Sequence, residues 1–369
     1  MDARFLRNVL LKSLTLFLVF DFLVAFLPAG IGKVSLYNSL FEGRLRFPFG
    51  EDSARSYNLS LFDLDAMFAA HIINSAPKPA DEYRVILIGD SSTWGTLLRP
   101  DETLSGQLDS AGLTACDGRT VRVYNLGYPT VSLTKDLMVL DYALRYDPDL
   151  ILWPLTLESF PLDKQLSSPI VANNAARVDD LITRYSLSLD PADPDLVRPG
   201  FWGLTLIGQR RALADLIRLQ LYGVLWSATG IDQTYPADYT RAQTDFDTDI
   251  TYHGQTGPTL DENQLSFDIF DAVLSAAGDI PVILVNEPIL ISAGENSHLR
   301  YNFLYPRWAY DDWRQMMQSM AAARGWNYLD LWNLIPAEQF TNSAIHVTPA
   351  AETFVVEQVK LSIQEQICP

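Results

Sequence analysis

Cysteine, histidine and positive charge are all scarce in this chain. Only two cysteines occur, Cys116 and Cys368, too few for a disulfide scaffold and without the clustering of a structural zinc site. Whether they pair with each other the sequence leaves open. With 27 Lys and Arg against 45 Asp and Glu, the formal net charge is -18 at pH 7. So acidic a surface repels phosphate backbones, which argues against nucleic acid as a partner. No G-x-x-x-x-G-K-[ST] loop occurs, so a phosphate or nucleotide site has little support. No internal repeat is evident, and only four histidines compete for the role of a general base.

What is present is enough apolar material, 48% of 369 residues, for one sizeable core with an insertion. Arg4 and Arg7 precede an apolar stretch from about Val9 to Gly32, long enough to cross a bilayer core at ~20 residues per span. Lys12 and Asp21 interrupt it, and a carboxyl at mid-membrane costs roughly 2.5–3.5 kcal/mol. The surrounding Leu, Phe and Val offset that cost. The reading is an uncleaved single-pass transmembrane anchor over residues 1–33, its amino terminus cytoplasmic and the rest of the chain extracytoplasmic at the cell membrane. A cleaved signal peptide ending near Ala29-Gly30 and a buried helix of a soluble protein are the competitors. Residues 34–82 read as a linker packing onto the domain that follows, with His71, beside Ile72 and Ile73, as a packed or surface histidine.

From Arg84 onward, five short apolar runs alternate with helical patterns: Val85–Ile88, Val121–Gly127, Asp149–Leu155, Ile280–Asn286 and Trp326–Leu331. This argues an α/β fold with a parallel sheet covered on both faces, which right-handed crossovers narrow to a doubly wound three-layer arrangement over residues 83–369. Between about 161 and 258 the alternation lapses into an insertion, expected to be a helical subdomain or lid because long structureless loops are uncommon. It carries a helix candidate from Leu204 to Trp226 with Arg210, Arg211 and Arg218 among leucines. Such a pattern more often packs one face on a core than rests on a membrane or partner. Asp245, Asp247 and Asp249 share a face if extended; a solvated acidic loop outweighs a calcium site there.

The first apolar run stops at Gly89-Asp90-Ser91-Ser92-Thr93, which reads as a strand turning into a helix. That puts Ser91 at the carboxyl edge of the sheet, where α/β proteins bind ligands and where a helix amino terminus offers N–H groups to an oxyanion. A serine there either caps the helix or acts as a nucleophile with partners from elsewhere. Asn125-Leu126-Gly127 ends the second strand beside it, so the Gly127 N–H is a second oxyanion donor candidate. His346 stands in a polar loop before a helix begun by Pro349, a position that returns to the same edge and suits a general base.

Together Gly89-Asp90-Ser91-Ser92-Thr93, Asn125-Leu126-Gly127 and His346-Val347-Thr348-Pro349 resemble the SGNH hydrolase (GDSL-type esterase and lipase) superfamily, over about Arg84 to Ile363 without the insertion. The resemblance implies a flavodoxin-like three-layer α/β/α domain, Ser91 as nucleophile, His346 as base, and the Ser91 and Gly127 N–H groups as oxyanion donors. Two positions depart from the family pattern. Where its members carry a G-x-N-D block, Trp153-Pro154-Leu155-Thr156-Leu157-Glu158 stands here, with Thr156 the nearest polar substitute and Asn286, at the end of the fourth strand, a second. Where they place an aspartate three residues before the histidine, Ser343 stands, leaving Asn342 and Asp330 as further candidates to orient His346. The implied activity is that of a serine esterase or O-acyltransferase on acyl esters, of small molecules or of cell-surface polysaccharides, with no metal or organic cofactor needed. The alternative is a non-catalytic glycan-binding or scaffold protein on the same fold. Oligomeric state is not legible.

Overall fold

A computed structural model describes residues 2–26, 31–50, 59–234 and 238–368. The Ala29-Gly30 site lies outside them. Helix α1 (Ala3–Val24) and the short α2 (Leu64–Ala70) precede strand β1 (Glu82–Leu87), the one-turn α3 (Ser91–Trp94), α4 (Leu104–Ser110), β2 (Thr120–Asn125), α5 (Leu133–Ala143) and β3 (Leu150–Leu155). The insertion supplies α6 (Pro169–Ala172), α7 (Ala175–Tyr185), α8 (Phe201–Leu204) and α9 (Arg210–Thr229). Then α10 (Phe267–Ala277), β4 (Val282–Asn286), α11 (Arg307–Arg324), β5 (Asn327–Asp330) and α12 (Pro349–Ile367) complete the order.

All five apolar runs form strands, and they pair in parallel in the order β2-β1-β3-β4-β5, the order of flavodoxin-like doubly wound sheets. The apolar runs of the central strands β1, β3 and β4 follow from burial on both faces, while the edge strands β2 and β5 are half-exposed and carry polar residues. On one face Ile86, Ile151, Trp153 and Leu284 pack with α5, α10 and α11. On the other Val85, Leu87, Leu152 and Val285 pack with α4 and α12. The period-2 alternation along each strand deals its side chains to the two layers.

The segment before β1 is built into this core. Buried His71 donates from Nε2 to the Asn125 carbonyl at 3.0 Å while its Nδ1 accepts the Ile73 N–H at 3.1 Å, so it is a packed histidine. Arg46 donates from Nη1 to the carbonyls of Trp94, Gly95 and Leu98 at 2.9 to 3.2 Å and lies 4.3 Å over the Trp94 ring, closing the end of α3. Arg44 pairs with Asp232 at 2.6 Å, tying the same segment to the insertion. Cys116 and Cys368 form a disulfide that joins the loop before β2 to the end of α12.

The predicted transmembrane anchor is corrected in one respect. Residues 3–24 are helical, but among the described residues no helix is long and apolar enough to cross a membrane. Arg4 and Arg7 precede the apolar run and Lys12 and Asp21 divide it; Asp21 is 3% exposed and its carboxylate accepts the Ile207 N–H at 2.7 Å. Asp245, Asp247 and Asp249 fold their own loop, accepting the N–H groups of Glu295, Asp249 and Thr251 respectively. Among the described residues no group of three His, Cys, Asp or Glu is placed to hold a metal.

Candidate active site

The turn after β1 exists because Gly89 stands in it. Its φ is +152° and a Cβ there would lie 2.3 Å from Thr93 Oγ1, so a side chain is excluded. Asp90 caps α3 by accepting the Ser92 N–H at 2.9 Å, which leaves Ser91 as the first helical residue with its Oγ at the sheet edge. The buried Lys135 ammonium, on α5, donates to the Gly89 carbonyl and, at 3.3 Å, to that of Tyr128. It also pairs with Asp136 at 2.7 Å. From the loop after β2, the Tyr128 N–H donates back to the Gly89 carbonyl at 3.0 Å. Gly127 comes so close to α3 that a Cβ would sit 2.7 Å from the Trp94 nitrogen. The turn is therefore held from three elements.

His346 reaches this turn across 255 residues of sequence. Its loop is pinned by an antiparallel bridge between Phe340 and Val347, by the Thr341 N–H on the His346 carbonyl at 2.8 Å, and by the Leu290 N–H on the Ala344 carbonyl at 2.7 Å. Thr348 then caps α12, with Pro349 as its first residue. The imidazole Nε2 lies 2.7 Å from Ser91 Oγ, and Nδ1 lies 2.8 Å from Asn342 Oδ1. Because an amide oxygen only accepts, Nδ1 carries the proton and Nε2 is left as acceptor for the serine hydroxyl. Burial pushes the His346 imidazole down to about 4, so it is neutral at neutral pH.

The other residues singled out in the sequence are spread more widely. Asn286 donates from Nδ2 to Asp330 Oδ1 at 2.7 Å and accepts the Tyr310 hydroxyl at 2.9 Å. Asp330 also binds Arg314 and Gln318. These two therefore brace β4 against β5 and α11, with both ends of the Asn286 amide occupied and Asp330 turned to cations rather than to His346. The Thr156 hydroxyl shares a hydrogen bond with the Tyr305 hydroxyl. The Gly127 N–H donates to Asn125 Oδ1 at 3.0 Å. Of the donors considered, the Ser91 N–H is the one with no acceptor among the described residues. Ser343 makes no bond to His346, which takes its partner one residue earlier.

Carboxyl groups collect behind the serine turn. Burial raises Asp90, with Lys135 opposing. Burial, and next the Asp90 carboxyl, push Glu287 well above the usual carboxylate range. Glu352, on α12, is pushed up to about 8 by burial, against the hydrogen bond of the Leu104 backbone. Glu287 and Glu352 line a cavity of about 30 Å³ together with Ser92, Thr93 and Pro154. Lys135 and Arg46, which hold the two ends of the serine helix, escaped the sequence reading. Nothing in the spacing of a single Lys or Arg tells a buried clamp from a surface charge.

No protein-family model matches the chain, and no curated protein does. Among solved structures, it is similar to a lipolytic protein of the G-D-S-L family from Veillonella parvula at 9% identity and a TM-score of 0.35, over 75% of this chain and 96% of that one. It is similar to a carbohydrate acetylesterase family member from Sinorhizobium meliloti at 13% identity and a TM-score of 0.33, over 77% and 98%. It is likewise similar to the aryl esterase of M. smegmatis at 16% identity and a TM-score of 0.32, over 75% and 98%.

Proposed function

We propose that this protein is a serine ester hydrolase or O-acyltransferase working through an acyl-enzyme on Ser91. The observation that carries this reading is the relay from Ser91 Oγ to His346 Nε2 and from Nδ1 to Asn342, at 2.7 and 2.8 Å. As Ser91 Oγ attacks the ester carbonyl carbon, its proton passes to Nε2. His346 then gives that proton to the departing alkoxide, leaving Ser91 acylated. Water, or a sugar hydroxyl, then loses a proton to His346 and attacks the acyl carbon; as the bond to Ser91 Oγ breaks, His346 returns that proton to Oγ, releasing either a carboxylic acid or a new ester. The Ser91 N–H supports the oxyanion.

Two features set the rate. A neutral amide orients the imidazole but stabilises the imidazolium less than a carboxylate would, and burial already disfavours that cation. A missing oxyanion donor costs about 10²–10³ in kcat, so hydrolysis is slow unless the substrate brings its own contacts. The proposed substrates are acyl esters of cell-surface glycans. We place the protein outside the cytoplasm, held at the membrane by its amino-terminal helix; the Cys116–Cys368 disulfide supports an oxidising compartment.

One observation favours a rival, a glycan-binding protein without turnover: the Gly127 N–H donates to Asn125, Asn286 Nδ2 donates to Asp330, and the Thr156 hydroxyl is bonded to that of Tyr305, all within the fold. Turnover of p-nitrophenyl acetate separates the two. The hydrolase reading expects measurable turnover that falls at least 10³-fold in both Ser91→Ala and His346→Ala. Turnover equal in parent and variants would overturn it.

A further inference from the structure

Large exposed apolar side chains are concentrated on one part of this molecule. Helix α9 packs its inner face on the body: Leu219 and Trp226 are buried, Arg44 stacks 5.3 Å over the Trp226 ring, and Gly223 is pressed against Tyr37 and Phe41. Its outer face is apolar too, with Ile217, Leu221, Val224 and Leu225 all more than half exposed. A helix apolar on both sides belongs in a core or against lipid. Beside it, Trp202 of α8 is 71% exposed. Most of the apolar side chains of α1 are exposed as well.

These helices form one surface. Phe22 of α1 meets Phe201 and Trp202 of α8 at ring distances of 6.1 and 5.7 Å. Asp21 binds the Ile207 backbone, which buries the one acidic group inside α1. Apart from Asp2, the exposed cap of α1, the charges left exposed there are cationic: Arg4, Arg7 and Lys12 on α1, and Arg210, Arg211 and Arg218 on α9. Asp215 is the acidic residue of α9, paired with Arg218 at 2.9 Å. A chain of net charge -18 thus gathers cations around this apolar surface, and charge complementarity selects an anionic partner there.

We propose that α1, α8 and the outer face of α9 together insert at the headgroup boundary of a bilayer containing anionic phospholipid. The apolar side chains enter the acyl layer and the six cations reach back to phosphates. This rests on the membrane placement above and extends it: the insertion, and not the amino-terminal helix alone, is a membrane element. The same contact fixes the orientation of the insertion over the membrane.

The test is flotation of the full chain, diluted from detergent, with vesicles of phosphatidylcholine plus phosphatidylglycerol and with vesicles of phosphatidylcholine alone. Thermal unfolding of each variant reports its folding without reference to activity. The parent is expected to float with the mixed vesicles and less with the neutral ones or in high salt. The surface variant L221E/V224E is expected to bind at least tenfold more weakly to both. R210Q/R211Q/R218Q is expected to lose roughly a hundredfold on mixed vesicles alone, at about one order of magnitude or less per arginine. Folded variants that float like the parent would overturn the role of α9 while leaving attachment by α1 intact. A parent that does not float would overturn the membrane placement itself. A lipid-free oligomer dissolved by L221E/V224E would assign the surface to a second copy of this chain and overturn the proposal.

Discussion

Asn342 decides the character of the candidate site more than any other single residue. Its Oδ1 lies 2.8 Å from His346 Nδ1 and keeps the imidazole in the tautomer that a serine nucleophile needs, without lending it negative charge. With the imidazole lowered to about 4 by burial, the acid limb of kcat/KM is expected near pH 4, below the usual histidine range near 6.5. Asn342→Asp sets a carboxylate beside Nδ1 and favours the imidazolium, so the limb is expected to move up by about one pH unit or more, with a rise in kcat. A pH–rate profile of the two proteins checks this. Identical limbs would mean that Asn342 does not act on His346. The sequence showed both the serine turn and the histidine, because Gly, Asp, Ser and Pro announce turns and caps by their own backbone chemistry. It left the orienting residue among Asn342, Ser343 and Asp330, because the loop before His346 can turn either of the first two inward and Asp330 ends a strand at the same sheet edge.

At the scale of elements, α12 carries a conflict between its packing and its charge. Glu352 is buried where α12 meets α4, and its carboxyl is pushed up to about 8. Between its unfolded value near 4.5 and the folded value near 8, the folded state holds a proton that the unfolded state has lost. Stability from this group is therefore full below about pH 4.5 and declines as pH rises to about 8. Glu352→Gln is expected to remove that decline and to gain on the order of a few kcal/mol over the parent at pH 8, with little change at pH 4.5. Denaturant unfolding at the two values checks it. Equal pH slopes would show the carboxyl to be solvated. The central strands were legible as elements because burial on both faces of a parallel sheet demands apolar runs. Helix α9 was legible as a helix but not in its surroundings: alternating leucines and arginines record periodicity, and one face on the body and one outward give the same pattern as a single packed face with a solvated back.

For the molecule as a whole, the sheet brings Ser91 and His346 together, and everything around it holds the serine turn still. Arg46 clamps the end of α3, Lys135 its beginning, and the Cys116–Cys368 disulfide fastens α12, which follows the His346 loop, to the loop before β2. The pairing of Cys116 with Cys368 was left open by the sequence, and the Arg46 and Lys135 clamps were not visible in it, since they join residues whose neighbours carry no shared pattern. The apolar run within residues 1–33 was legible, but with Lys12 and Asp21 inside it no helix among the described residues is long and apolar enough to cross a membrane, and Asp21 is bound to the Ile207 backbone instead.

The account stands on Ser91 being a nucleophile made ready by His346. Mass spectrometry of the folded full chain after treatment with a fluorophosphonate addresses this directly, because the reagent needs an activated serine and no knowledge of the natural ester. One adduct on Ser91 is expected, absent in Ser91→Ala and strongly slowed in His346→Ala. A folded parent that gains no adduct, or gains it elsewhere, would contradict the account and leave the fold as a binding scaffold.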